Sequence, residues 1–175
     1  MFDFDAVIRK VPDFPKPGIL FYDITGILAS PSALRAIRKI IVEKYGSAGL
    51  QKIVGVESRG FIFGTLAAES LGLPLVLARK KGKLPNEVYR RSYALEYGTD
   101  SLEIQKIDLH PGEKVLLVDD LIATGGTLQA VCEMIETEAK AQVAGIFAII
   151  GLPFLNYQEV LKGREVQTLQ LYHGE

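Results

Sequence analysis

A single cysteine, Cys132, among 175 residues excludes an intramolecular disulfide framework. Two histidines, His110 and His173, are too few for a histidine-based metal cluster, and neither has a partner at ligand spacing. Neither sign of charge is in excess: 20 Lys+Arg stand against 21 Asp+Glu, a net charge of -1. No global basic field is present to hold nucleic acid, and no acidic surplus signals disorder. Long apolar runs are missing as well. Val143–Leu155 is interrupted by Gly145, Gly151 and Pro153 and is too short to span a bilayer. Asp3 and Asp5 occupy the N-terminal stretch, which has no apolar run of secretory length, so no signal peptide is expected. There is no repeat and no low-complexity tract. What these absences leave is a soluble protein of a reducing compartment, most simply the cytoplasm, with neither membrane nor nucleic acid as partner. With 48% hydrophobic residues, the chain is long enough to bury one sizeable core.

Short apolar runs alternate with helical patterns. Ile53–Val56, Leu75–Ala78, Val115–Val118 and Val143–Ile150 lack polar alternation, as parallel strands covered on both faces do. Leu34, Ile37, Ile40, Ile41 and Tyr45 form one helical stripe after the cap and first turn at Ser30-Pro31. Phe61–Leu71 reads as a second helix, stopped by Gly72 and Pro74. Leu128, Val131, Cys132 and Ile135 make a third, with Glu133 and Glu136 facing out and Cys132 in the core. Val166–Leu171 is a candidate terminal strand. This rhythm predicts an α/β domain over residues 1–175, with a mostly parallel central sheet flanked by helices. Two regions break it. Pro12–Leu28 carries three prolines before the short run Ile19–Tyr22. Lys80–Lys106 is polar, with Gly82, Pro85 and Gly98, and is too long for an ordinary connector, which suits a lid or a hairpin with Gly98 and Asp100 as turn residues.

The most informative segment is Val115-Leu116-Leu117-Val118-Asp119-Asp120-Leu121-Ile122-Ala123-Thr124-Gly125-Gly126-Thr127. A buried strand ends in two carboxylates, a Thr/Gly turn follows, and a helix begins. Open α/β sheets bind ligands at this edge of a parallel strand. Gly125 and Gly126 let backbone N–H groups approach an anion. Thr124 and Thr127 add hydroxyl donors, and the helix start adds its positive dipole end. A phosphate monoester fits. The adjacent Asp119 and Asp120 would repel phosphate, so they face another part of the ligand. Carboxylates accept hydrogen bonds from vicinal ribose hydroxyls and reach Mg²⁺ directly or through water. Together these features describe a ribose 5-phosphate site. A Walker A loop and a G-x-G-x-x-G turn, the competing phosphate motifs, are both absent.

This segment resembles the phosphoribosyl pyrophosphate (PRPP) motif of the type I phosphoribosyltransferases. The resemblance extends from about Phe14 to about Gly151. PKPGILFYDIT, VGVESRGFIFG, RKKGKLP and YALEYGTDSLEIQ surround the central motif in the order and spacing of the adenine phosphoribosyltransferase family. The central motif specifies only the superfamily, whereas ESRGF, KGKLP and LEYG with LEIQ are particular to the adenine enzymes. The resemblance implies the type I fold, with a small N-terminal hood at about 12–28 and a flexible lid hairpin at about 83–106. It implies transfer of the 5-phosphoribosyl group from PRPP to N9 of adenine, giving AMP and pyrophosphate in purine salvage. Mg²⁺ would be the cofactor, mainly through substrate and water, with Asp119 or Asp120 as a possible ligand. Relatives are homodimers, and the apolar 61–71 helix is the expected interface. A PRPP-dependent transferase for another purine and a PRPP-sensing regulator without catalysis are the alternatives. No helix-turn-helix extension supports the regulator.

Residue roles follow from the same resemblance. Ala123, Thr124, Gly125, Gly126 and Thr127 bind the 5-phosphate, and Asp119 and Asp120 the ribose. Ser58 and Arg59 form the pyrophosphate loop, with a cis peptide expected before Arg59. Arg79, Lys83 and Tyr97 are further pyrophosphate contacts. Glu96 is the catalytic residue that meets adenine N7 and manages its proton; the residue pattern alone does not choose it over Glu87 or Glu103. Leu20, Phe21, Tyr22 and Leu121 hold adenine: Phe21 packs near the ring, the backbone at Leu20 and Tyr22 reads the exocyclic amine, and Leu121 is the opposite wall. Many relatives carry Arg where this chain has Tyr22. Glu57-Ser58-Arg59-Gly60 directly follows one strand and the Arg79–Lys83 cluster another, so both reach the expected ligand edge. Alone, the basic run Arg79-Lys80-Lys81-Gly82-Lys83 reads as a solvated loop or a weak RNA patch.

Overall fold

A computed structural model describes residues 2–95 and 98–174. Two short strands, β1 (Arg9–Val11) and β2 (Phe21–Asp23), pair antiparallel as a separate ribbon with Lys10 opposite Tyr22. A one-turn helix, α1 (Thr25–Leu28), leads to the long α2 (Pro31–Tyr45). Ser30 Oγ caps α2 by accepting the Ala33 N–H at 3.2 Å, and Pro31 opens its first turn. The expected stripe is its inner face: Ile37, Ile41 and Tyr45 are buried, and Leu34 and Ile40 partly so.

The remaining strands form one seven-stranded sheet: β3 (Lys52–Val56), β4 (Leu75–Lys80), β5 (Val88–Leu95), β6 (Gly98–Gln105), β7 (Lys114–Ile122), β8 (Gln142–Gly151) and β9 (Val166–Leu171). Their order is β5-β6-β4-β3-β7-β8-β9, parallel from β4 to β9, with β5 and β6 an antiparallel hairpin at one edge. α3 (Gly60–Leu71) connects β3 to β4 and ends at left-handed Gly72. α4 (Gly126–Glu133) leads from β7 towards β8 and runs on as a π-helical turn, Met134–Glu138. The short α5 (Tyr157–Val160) precedes β9.

Both faces of the sheet are covered. Leu116 and Val118 of β7 pack with Phe63, Ala67, Ile37 and Ile41 of α3 and α2. The alternate residues Val115 and Leu117 pack with Val131, Cys132 and Ile135 on the α4 side. A strand buried on both faces needs apolar residues at every position, which is why the run is continuous.

Two boundaries differ from the sequence reading. β7 does not stop at Val118 but continues through both aspartates to Ile122, because β8 stays paired with it at Asp119↔Ala148 and Ile122↔Gly151. Gly98 and Asp100, expected in a turn, lie within β6, because β5 and β6 pair without a break from Val88↔Gln105 to Leu95↔Gly98. Among the described residues, no helix is long and apolar enough to cross a membrane.

This topology has a functional consequence. From β3 the chain crosses over α3 to β4 on one side, and from β7 it crosses over α4 to β8 on the other. The loops leaving β3 and β7 diverge to opposite faces and open a crevice at the carboxyl edge, the usual ligand position in open α/β sheets.

Candidate active site

An open cleft of about 530 Å³ occupies that crevice, lined by Glu57, Ser58, Arg59, Lys80, Tyr93, Asp119, Asp120, Leu121 and Thr127. Beside it a recess of about 90 Å³ is formed by Asp119, Leu121–Gly125, Thr127 and Leu128. The sequence reading of the central motif thus corresponds to a small polar cradle opening next to a larger cleft.

The cradle is built by backbone. Gly125 stands just before α4 with φ 85°, a left-handed conformation that side chains resist. A Cβ there would lie 3.3 Å from side-chain atoms of both Leu161 and Tyr157. Gly125, the residue before the helix, has no side chain to cap α4, so its N-terminal N–H groups receive no cap there. Gly60, which opens α3, is a second close approach. A Cβ on it would lie 2.8 Å from Asp119 Oδ1 and 2.9 Å from the Val118 carbonyl oxygen, so only glycine lets the β3 loop close against the end of β7. The cis peptide of this loop is Glu57–Ser58, one bond earlier than expected.

Charge is concentrated here. The Asp120 N–H donates to Asp119 Oδ1 at 2.8 Å. Burial, followed by the neighbouring Asp120 charge, holds the Asp119 carboxyl well above the usual carboxylate range. Arg59 Nε stands 2.6 Å from Asp120 Oδ2, but its N–H does not point at the oxygen. Among the described residues, that buried oxygen has no aligned hydrogen bond. The Arg59 guanidinium also lies over the Phe21 ring, 5.7 Å from its centroid, bringing the N-terminal ribbon to the cleft.

Of the basic run at the end of β4, the residue at the cleft is Lys80. The two-residue period of a strand explains this. Val76 and Ala78 face the α4 side, and Lys80 follows them in phase. Arg79 turns to the α3 side, over the Phe61 ring and 3.3 Å from Glu57 Oε2. Lys83 accepts an Arg79 hydrogen bond through its backbone carbonyl, and it does not line the cleft. Sequence reasoning overlooked Glu57 and Tyr93 as well. Glu57 Oε2 accepts the Lys80 N–H at 2.7 Å and so braces the end of β4. Tyr93 of β5 lines the cleft together with Thr127 at the start of α4. Burial is the leading cause that pushes its phenol up. Opposite it in the hairpin, Asp100 pairs with Lys80 at 3.2 Å. The alternation at Tyr93 and Leu95 is readable in the sequence, but which sheet face it meets is not.

In the ribbon, Phe21 reaches the cleft side, while Tyr22 is buried and stacks on Tyr172. Leu20 and Tyr22 also line a separate cavity of about 500 Å³ with Leu152, Phe154 and Leu155. Leu121 borders both cleft and cradle. Glu96 and Tyr97 lie outside the described residues. Cys132 is fully buried, and burial pushes its thiol up to about 12, which makes it inert.

The fold and the site together define an α/β protein with a ligand crevice at a topological switch point, a backbone cradle on one side of it and cations on the other. Comparison with known proteins gives that class its name. The family described as phosphoribosyl transferase domain matches residues 23–153. Adenine phosphoribosyltransferase of Treponema denticola is 52% identical over 171 residues, covering 98% of this chain and 90% of its own. The crystal structure of adenine phosphoribosyltransferase from Rhodothermus marinus superposes with a TM-score of 0.90 at 42% identity, covering 97% and 96% of the two chains. The Saccharomyces cerevisiae enzyme, solved with an imino-altritol bisphosphate and adenine, gives 0.89 at 36% identity over 95% and 96%. The chain belongs to the phosphoribosyltransferase family, in its adenine phosphoribosyltransferase branch. It is an enzyme of purine salvage that joins adenine to the 5-phosphoribosyl group of PRPP, giving AMP.

Proposed function

We propose that the labour of this transfer is divided along the cleft as follows. The 5-phosphate of PRPP sits in the Ala123–Thr127 cradle on the first N–H groups of α4, with the Thr124 and Thr127 hydroxyls as further donors. Asp119 and Asp120 accept hydrogen bonds from the ribose hydroxyls. Ser58, Arg59 and Lys80 take the pyrophosphate, with Arg79 and Lys83 behind them and Tyr97 closing over it. Adenine lies between Phe21 and Leu121, its 6-amino group donating to backbone carbonyl oxygen at the Leu20–Tyr22 strand. An oxygen at that position, as in hypoxanthine, would meet the same carbonyl and be repelled.

N9 of adenine then bonds to C1 of the sugar while the C1–O bond to pyrophosphate breaks and its electron pair leaves with the pyrophosphate. Positive charge grows on the sugar ring and negative charge on the leaving group. Cations at the leaving group and a closed, dry site therefore lower the barrier. Glu96, at adenine N7, takes up the imidazole proton that the base must lose.

The family generally uses Mg²⁺ with PRPP, and the residues present fit it. Asp119 and the Asp120 oxygen that lacks an aligned hydrogen bond are hard oxygen donors of the kind Mg²⁺ prefers. Bound there with substrate, Mg²⁺ supplies neutralisation of the pyrophosphate charge. The same reading makes the protein a cytoplasmic homodimer, with α3 as the interface and its half-exposed Ile62 on the outer side.

One observation carries this reading: a phosphate-sized backbone cradle and the Arg59 loop meet across a pair of aspartates at the β3/β7 switch point. The test is to mix the protein with adenine, PRPP and Mg²⁺ and follow the absorbance change as adenine becomes AMP. A crystal structure with AMP should show its phosphate on Thr124–Thr127. Folded protein that leaves adenine unchanged, or an AMP phosphate bound elsewhere, overturns the assignment.

A further inference from the structure

The N-terminal ribbon is too small to hold its own shape. Two strands of three residues each form a marginal sheet in water, so something outside must fix β2. The contacts of β2 show what does. Its side chains alternate: Phe21 turns to Arg59 and, edge-on at 5.0 Å, to Phe14, whereas Tyr22 turns the opposite way. Tyr22 is 7% exposed and lies flat on Tyr172, with ring centroids 3.9 Å apart and planes inclined by 13°.

Tyr172 directly follows β9 and is itself anchored. Its N–H donates to the Gly151 carbonyl at 3.1 Å, which ties it to the end of β8. Its hydroxyl donates to Asp5 Oδ1 at 2.5 Å. Lys10, the strand partner of Tyr22, pairs with Asp5 at 3.0 Å and stands 5.2 Å from the Tyr172 ring centroid. Asp5, Lys10, Tyr22 and Tyr172 thus form one cluster that fastens the ribbon to the main sheet through the last strand.

We infer that Tyr172 is a positioning residue for adenine: its ring backs Tyr22 and so sets where the β2 backbone meets the base. This rests on the reading above that the Leu20–Tyr22 backbone reads the 6-amino group. A backbone acceptor discriminates only when held in place, because hydrogen bonds weaken steeply with misdirection. Tyr22 therefore works through its ring on the side away from the substrate and through its main chain on the side facing it.

Steady-state kinetics on the full chain test this, with KM measured separately for adenine and PRPP. Tyr172→Ala should raise the adenine KM about tenfold, the equivalent of roughly 1.4 kcal/mol, and leave the PRPP KM within about twofold, well inside 1 kcal/mol. It should also narrow the preference for adenine over hypoxanthine. Tyr172→Phe keeps the ring, loses only the Asp5 hydrogen bond, and should rescue most of the effect. Should Tyr172→Ala fold poorly, Tyr172→Leu, judged by near-UV circular dichroism, replaces it with the same expectation. Phe21→Ala is the control for the base site. If Phe21→Ala raises the adenine KM and the Tyr172 variants do not, the positioning role is wrong. A rise in both KM values together would show a merely structural role and also overturn it. If Phe21→Ala leaves the adenine KM unchanged, the base lies elsewhere and the underlying reading fails instead.

Discussion

The cleft has two kinds of wall, and they are built from different materials. Its floor is the carboxyl edge of β7, where Leu117 and Val118 are fully buried and parallel neighbours pair on either side. Phosphate would be held there by main chain that the core has already fixed. Its rim is the β5–β6 hairpin and the β1–β2 ribbon, held by side chains: Lys80 to Asp100, Arg91 to Glu133, and Tyr22 on Tyr172. Exposed ion pairs of the first kind contribute about 0–1 kcal/mol each. The difference suits the chemistry. Anion binding gains from donors that need no rearrangement, whereas a site that must admit two substrates and then exclude water needs walls that detach at low cost.

Changes to the floor should destroy PRPP binding, and changes to the rim should spare it. The largest effect is expected from Gly125→Val. A β-branched residue at φ 85° is strained, and its Cβ would crowd Leu161 and Tyr157. Strain of about 1–3 kcal/mol and loss of a charged hydrogen bond worth about 1.5–3 kcal/mol together should weaken PRPP binding roughly 10²- to 10⁴-fold by calorimetry. Near-native affinity would show that the phosphate does not sit in this cradle.

Glu96→Gln should do the reverse. Turnover should fall about a hundredfold, the lower end for general acid–base catalysis, with adenine and PRPP affinities nearly unchanged. An equal loss in kcat and in adenine binding would remove Glu96 from proton handling.

The smallest effect concerns stability. A carboxyl held above its unfolded value binds its proton more tightly in the folded chain. The contribution of Asp119 to folding is therefore fully present below the ordinary carboxylate value of 3.8 and is lost as pH rises through the raised one. Asp119→Asn removes that penalty and keeps an acceptor for the Asp120 N–H. Its Tm at neutral pH should exceed wild type by about 2–4 °C, with the gap closing towards acid pH and PRPP binding weakened throughout. A lower Tm at neutral pH would mean that the floor carries no such electrostatic strain.

Much of the floor is legible in the chain because its signals are local. Val115–Val118 announces a strand covered on both faces, and the following aspartates, threonines and glycines state the chemistry of its end within nine residues. Ser30-Pro31 and Gly72 mark helix ends for equally local reasons. Even here pairing decided the boundary: β8 carries β7 past Val118 and makes both aspartates strand residues.

The rim was far less readable. Among five consecutive residues with four positive charges, only the phase of β4 singles out Lys80 for the cleft and sends Arg79 to Glu57. Tyr93 and Thr127 meet at the cleft only because the hairpin folds back over α4, bringing together residues 34 positions apart. The partner of Tyr22 stands 150 residues away, just past the last strand.

Residue order by itself determined the layered α/β architecture, the strand whose end forms the cleft, and the backbone cradle, since each rests on periodicity or conformational preference within a few residues. Only the tertiary structure decided which cation and which tyrosine line the cleft and what holds β2. Those choices depend on which faces meet across the sheet, and a side chain's partner at long range is set by packing that no neighbouring residue encodes.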